Sequence, residues 1–203
     1  MSKKLKILAT GDFHSDISLA QRLAKKAVEE DVDLIILNGD IVEEEKTEGI
    51  VGPFAATRKK VFLVPGNHES AATIDFLAEM YGSINLHGYS ARQGDVGLFG
   101  CGGANIGLTP VSDEEIFALL KRGYEKIKDL PKKIMVTHIH PSGTTMEKFS
   151  HFVQGSKGLR RAIETFKPDI VICGHVHEAE GIEEMVGKSL VINVGKKGKV
   201  IEI

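Results

Sequence analysis

Short apolar runs, each closed by a polar cluster, recur along the chain and alternate with stretches of helical spacing. Leu5 to Ala9, Leu34 to Leu37, Val61 to Val64, Ile134 to Val136 and Ile170 to Cys173 are runs of strand length bounded by turn residues, and they predict buried strands. Between them, Ile17, Leu19, Ala20, Leu23, Ala24, Ala27 and Val28 form one stripe at helical spacing. They predict a helix capped by Ser15 or Asp16 and running through about Glu30. Ala71 to Tyr81 and Lys157 to Phe166 predict two more helices. The capping box Ser112-Asp113-Glu114-Glu115 opens another, through about Lys128, which Pro131 breaks. Ser83 to Leu86 reads as a further strand, and Tyr89 to Gln93 with Val96 to Gly100 as a hairpin around Gly94-Asp95. The C-terminal segments Gly181 to Met185, Ser189 to Val194 and Val200 to Ile203 read as strands. The connection before Val61 predicts no regular element, and Ile139 to Gly155 predicts a long loop packed by Phe149 and Phe152.

Strands alternating with helices imply parallel pairing through crossovers, and the hairpins imply antiparallel additions, so the class is α/β. A chain of 203 residues fits one domain over residues 1–203. Net charge is −2, which gives no electrostatic footprint for nucleic acid or for a membrane surface. Cys101 and Cys173 lie far apart in apolar surroundings and read as buried free thiols. With no apolar leader segment and no run long enough to span a bilayer, the expected location is the cytoplasm.

The chemistry sits where the strands end. Five apolar runs are followed by Asp12-Phe13-His14, Gly39-Asp40, Gly66-Asn67-His68, His138 and Gly174-His175-Val176-His177. In open α/β sheets sites form at the carboxyl ends of strands, so parallel neighbours would bring all five clusters to one edge. Asp-x-His and His-x-His have period two, which allows both members of each pair to point to one side of an extended segment. The oxygens and imidazoles exceed what a single tetrahedral zinc uses and suit two metals sharing a carboxylate. The mixed oxygen and nitrogen set favours Mn²⁺, Fe or Zn²⁺ over Mg²⁺ or Ca²⁺ without choosing among them; Mn²⁺ is the expected ion, with Fe, Ni or Zn as alternatives. Two such ions clamp the attacking and leaving oxygens of an in-line phosphoryl displacement and supply hydroxide near neutral pH. Gly100-Cys101-Gly102-Gly103 lacks the spacing of a phosphate-binding loop. The run Glu43 to Glu48 reads as solvated and is assigned no chemistry.

The ordered pattern Asp12-x-His14, Gly39-Asp40, Gly66-Asn67-His68-Glu69, His138 and Gly174-His175-x-His177 resembles the calcineurin-like metallophosphoesterase superfamily, in its compact prokaryotic form. The resemblance implies a four-layer αββα sandwich, two mixed sheets packed face to face with helices outside. It also implies that Asp12, His14 and His177 bind a first metal, that Asn67, His138 and His175 bind a second, and that Asp40 bridges them. His68 is then not a ligand. It would sit over the phosphate and protonate the leaving oxygen, a task suited to imidazole because its charge changes near neutral pH. Glu69 diverges as an adjacent residue, so the carboxylate partner of His68 stays unassigned. Ser15-Asp16, Ile139-His140-Pro141 and Glu69 depart from the usual pattern, and His140 and His151 are candidates to contact substrate. His87 is assigned no role.

Three functions compete. The first is hydrolysis of a phosphodiester or phosphomonoester, small molecule or nucleotide, with diesters favoured because no cap insertion is visible. The second is a scaffold of the same fold that binds protein partners, and self-association stays open. The third is a nuclease core, which the length and charge disfavour.

Overall fold

The computed structural model describes residues 4–43, 46–108, 110–150 and 153–203. Eleven strands and five α-helices alternate among the described residues. Lys6–Thr10 (β1), Leu34–Leu37 (β2), Lys60–Leu63 (β3) and the short Ile84–Asn85 (β4) pair in parallel, and Lys199–Glu202 (β11) closes the other edge antiparallel to β1. This five-stranded sheet has the order β11-β1-β2-β3-β4. The second sheet contains Ser90–Gln93 (β5), Val96–Cys101 (β6), Lys132–Thr137 (β7), Ile170–Cys173 (β8), Glu183–Val186 (β9) and Ser189–Asn193 (β10). Its order is β5-β6-β7-β8-β10-β9, with antiparallel strands at both edges and a parallel centre.

Alternation along each strand divides the apolar side chains between two layers. Ile7, Ala9, Leu34, Ile36 and Phe62 from the first sheet meet Leu98, Ile134, Val136 and Ile172 from the second in one buried cluster. The opposite faces pack outward. Leu8, Ile35 and Leu63 lie under the helices Ile17–Glu29 (α1), Gly52–Ala56 (α2) and Ala71–Tyr81 (α3). Phe99, Met135 and Val171 lie under Asp113–Tyr124 (α4) and Lys157–Phe166 (α5). The result is the αββα sandwich that the resemblance implies.

Helix starts follow their caps. The side chains of Asp16, Ser70, Ser112 and Ser156 accept from Leu19, Thr73, Glu115 and Leu159. α3 stops at Gly82, whose φ of 62° a residue with a Cβ rarely adopts. α4 ends at Tyr124, short of the expected Lys128, because the chain tightens into turns closed by Lys126 N–H on Gly123 O and Ile127 N–H on Tyr124 O. Those turns bury Ile127. α2 was not predicted; its five residues are too few to show a period. A 3₁₀ turn, Thr145–Phe149, interrupts the long loop. Phe149 does not pack that loop as expected, since it is half exposed; Phe152 lies outside the described residues. Cys101 and Cys173 are buried and free. No helix among the described residues is long and apolar enough to cross a membrane.

Candidate metal centre

All the strand ends singled out above lie at one edge of the two sheets. The backbone that carries them is left-handed where the strands stop: φ is 57° at Asp12, 47° at His14, 63° at Ser15, 48° at Asp40 and 71° at His175. Non-glycine residues pay of order 1 kcal/mol each for this region, so neighbouring contacts must hold them there. Asp12 N–H donates to Gly39 O at 2.9 Å, His14 N–H to Asp40 O at 3.0 Å and Ser15 N–H to Ile41 O at 3.3 Å, continuing the β1–β2 pairing into the loops. Asn38 joins the sheets, its Nδ2 donating to Thr137 O at 3.2 Å. Asn193 Nδ2 donates to Val176 O at 2.9 Å, which fixes the loop carrying His175 and His177.

Two trios of ligand-capable atoms result, Asp12 with His14 and His177, and Asp40 with His138 and His175; within each, the atoms lie within 4.8 Å of one another. The expected convergence is therefore present, but the pleat does not produce it. Period two allows His175 and His177 to share one side of an extended segment. The left-handed turn at His175 separates the two imidazoles into different trios, which is the division the resemblance implies.

Asp40 lies between the trios. Its Oδ1 accepts from the backbone N–H groups of Asn67 at 2.7 Å and His68 at 3.0 Å. Its Oδ2 lies 3.3 Å from His138 Nε2, 3.9 Å from His14 Nε2 and 4.0 Å from His68 Nε2. A side chain at Gly66 would overlap this carboxylate, so only glycine lets β3 turn here. His138 Nδ1 donates to Asn38 O at 3.1 Å, which directs the Nε2 lone pair inward. There it meets Asn67 Oδ1 at 3.0 Å and His175 Nδ1 at 3.1 Å. In the other trio His14 Nδ1 donates to Glu43, His14 Nε2 lies 3.4 Å from His177 Nε2, and His177 Nε2 lies 3.7 Å from Asp12 Oδ1. Asp12 Oδ2 is buried without a hydrogen-bond partner. Lone pairs facing one another inside a protein need a shared cation or proton, and the donor set fits divalent metals with nitrogen affinity.

Metal-free, this surplus of lone pairs draws a proton to His138. Burial alone would lower its pKa, but the Asp40 carboxylate pushes it up to about 9. Burial would likewise raise Asp40, yet His138 and His68 hold it well below the usual carboxylate range. Burial, with the charge on His138, drives His175 down to about 3. A hydrogen bond to Asp12 raises His177.

The sequence reading missed Glu43. Its Oε1 accepts from His14 Nδ1 at 2.9 Å and its Oε2 from His68 Nδ1 at 3.1 Å. Despite the cost of burial, those two imidazoles lower its pKa. His14, Glu43 and His68 also form a ligand-capable trio, but each carboxylate oxygen there already receives one imidazole proton. The loop reaches this place because Glu43 N–H donates to Ser15 Oγ at 2.8 Å. A carboxylate three residues after Asp40 was the available signal, and the acidic run around it concealed it. His140 does not line the opening. It is wholly buried and both ring nitrogens lack partners, so it offers no surface to substrate. His151 lies outside the described residues. His87 is half-buried and Nδ1 accepts from Gly102 N–H.

Glu69 is a buried strut, its Oε1 accepting from Ile41 N–H at 3.3 Å and Gly66 N–H at 3.1 Å. Burial, then the charge of Asp40, pushes its pKa from 4.5 up to about 8. Between those values the unfolded chain binds fewer protons at this site than the native one, so in metal-free protein its contribution to stability falls as pH rises. Glu69→Gln keeps the acceptor and removes the titration. Urea unfolding in chelator should show the variant gaining on the parent by a few kcal/mol between pH 4.5 and 8. A difference that stays flat over that window would refute the assignment.

The chain belongs to the calcineurin-like phosphoesterase family, whose sequence model matches residues 5–179. Among solved structures it is similar to TT1561 of Thermus thermophilus, at 19% identity over 98% of each chain with a TM-score of 0.78. It is also similar to a dimetal phosphatase from Danio rerio, at 12% identity over 95% of this chain and 87% of that one, TM-score 0.64. An archaeal phosphodiesterase matches at 19% identity over 98% of each chain, TM-score 0.56. At these identities the likeness speaks for the fold. No curated protein sequence matches the chain.

Proposed function

We propose that this chain hydrolyses phosphate esters with two divalent metal ions. The observation that carries the reading is the pair of facing trios with the unshared oxygen of Asp40 between them. Asp12, His14 and His177 would hold one ion, Asn67, His138 and His175 the other, and Asp40 both. Bound there, the ions polarise phosphoryl oxygens and make a nucleophile available near neutral pH. Mn²⁺ is the ion to try first, with Fe, Ni and Zn beside it; the imidazoles in the donor set disfavour Mg²⁺ and Ca²⁺ and do not rank these four.

The protein supplies position and protons. Asp12 and Asp40 balance the cation charge in a buried wall, while His14, His68 and His177 keep part of their surface at the mouth. Glu43 accepts the Nδ1 proton of His68, so the Nε2 face of the ring is the one presented to a leaving oxygen. No cap insertion is visible in the sequence, which favours phosphodiesters over monoesters. A metal-reconstituted assay tests this: bis(4-nitrophenyl) phosphate should turn over faster than 4-nitrophenyl phosphate. Inactivity on both with Mn²⁺, Fe²⁺, Ni²⁺ and Zn²⁺ would refute the reading and favour a scaffold.

A further inference from the structure

We infer that residues 104–108 form a wall for an aliphatic arm of the phosphate ester, with Ile106 and Leu108 as its contact residues. The inference rests on the phosphoesterase reading.

The stretch is fastened to the turn that ends β3. Gly103 N–H donates to Pro65 O at 2.8 Å, and Leu108 N–H donates to Asn67 O at 3.1 Å. Val111 N–H closes it on Ala104 O at 2.8 Å. Gly107, at φ 107°, lies flat on Asn67: a Cβ there would stand 2.5 Å from the Asn67 carbonyl oxygen and 2.6 Å from its Cβ. The residues on either side of Gly107 are thereby carried beside a proposed metal ligand. They are Ile106 and Leu108, 42% and 52% exposed.

From Gly103 to Val111 the sequence has no charged residue. The opposite side of the centre, beyond His14, is polar. Glu43 lies there on His14, and Ser15 Oγ donates to the Lys46 carbonyl. The two sides thus differ in what they can accept: charge on the His14 side, hydrocarbon on the Asn67 side. Ile and Leu have no flat π face on which a base would stack, so their surface suits a flexible alkyl or acyl chain. Each methylene such a chain buries adds to affinity, whereas a methyl ester reaches little of the wall.

The test is calorimetric titration of the Mn²⁺-loaded protein with methyl phosphate and with hexyl phosphate, which share a head group and differ only in chain. Hexyl phosphate should bind about tenfold more tightly or better. Ile106→Ser and Leu108→Ser, both at exposed positions, should each move the ratio of the two Kd values toward one. Met185→Ser, an exposed apolar position on edge strand β9, should keep the ratio of the parent. Equal Kd values in the parent overturn this inference alone, as does a ratio that survives the Ile106→Ser, Leu108→Ser double variant. Absence of binding by both phosphates overturns the phosphoesterase reading, and this inference with it.

Discussion

Asp40→Asn is expected to cost the protein both metal ions together. The carboxylate does two jobs with separate oxygens. Oδ1 is committed to the backbone N–H groups of Asn67 and His68, and Oδ2 is left facing His138, His14 and His68. An asparagine keeps the volume and can keep Oδ1 as an acceptor. Its NH₂ then replaces Oδ2, turning two hydrogens toward the place where both trios need negative charge. Removal of a partner that only orients a ligand typically weakens metal binding tenfold to a hundredfold, and a carboxylate shared by two ions should exceed that, at about a hundredfold or more for each. Asp12→Asn supplies the contrast, because Asp12 belongs to one trio and should weaken mainly one ion. Metal content after dialysis, read by elemental analysis, separates the cases. Asp40→Asn protein that retains its full complement would remove Asp40 from between the sites.

How far the sequence foretold this depends on the range of the interactions. α3 and α5 have the predicted bounds because their signals are local: Ser70 and Ser156 cap them, and Gly82 ends one. The strands were legible as apolar runs since both faces of each central strand are covered, one by the other sheet and one by helices. The ligand candidates were legible for the same reason, as polar residues that interrupt those runs at one end. What failed was geometry set by distant parts of the chain. The pleat alone would let His175 share a side with His177, but the turn there is left-handed, with His175 N–H donating to Asp12 Oδ1 at 3.3 Å from across the centre. Glu43 was indistinguishable in composition from the acidic residues after it in the sequence, and its bond to Ser15 from β1's loop brings it to the imidazoles. His140 was a candidate substrate contact from sequence, in the segment Ile139-His140-Pro141 that departs from the usual pattern. Pairing of Pro141 with Ser156, with Ser156 N–H donating to His140 O at 2.9 Å, draws that segment inward instead.

His68→Ala should leave metal content intact and slow cleavage according to the leaving group. His68 is outside both the Asp12 and the Asp40 trios, so its loss removes no proposed ligand. Its Nδ1 is occupied by Glu43 at 3.1 Å, and its ring meets that of His14 edge to face at 4.7 Å between centroids. These contacts hold the ring at the mouth with Nε2 4.0 Å from Asp40 Oδ2, near enough to the centre to reach an oxygen departing from phosphorus. An alkoxide is a poor leaving group and needs that proton, whereas 4-nitrophenolate departs without it. Positioned proton transfer contributes about a hundredfold to ten-thousandfold. The variant should therefore lose roughly that factor in kcat on an alkyl diester and much less on a nitrophenyl ester, with KM little changed. Glu43 acts through His68, so its role shows in the same ratio: Glu43→Gln should move both substrates in the direction that His68→Ala does, by less. Equal slowing of the two esters by His68→Ala would show that the ring stabilises charge or structure without donating the proton, and loss of metal would make it a ligand after all.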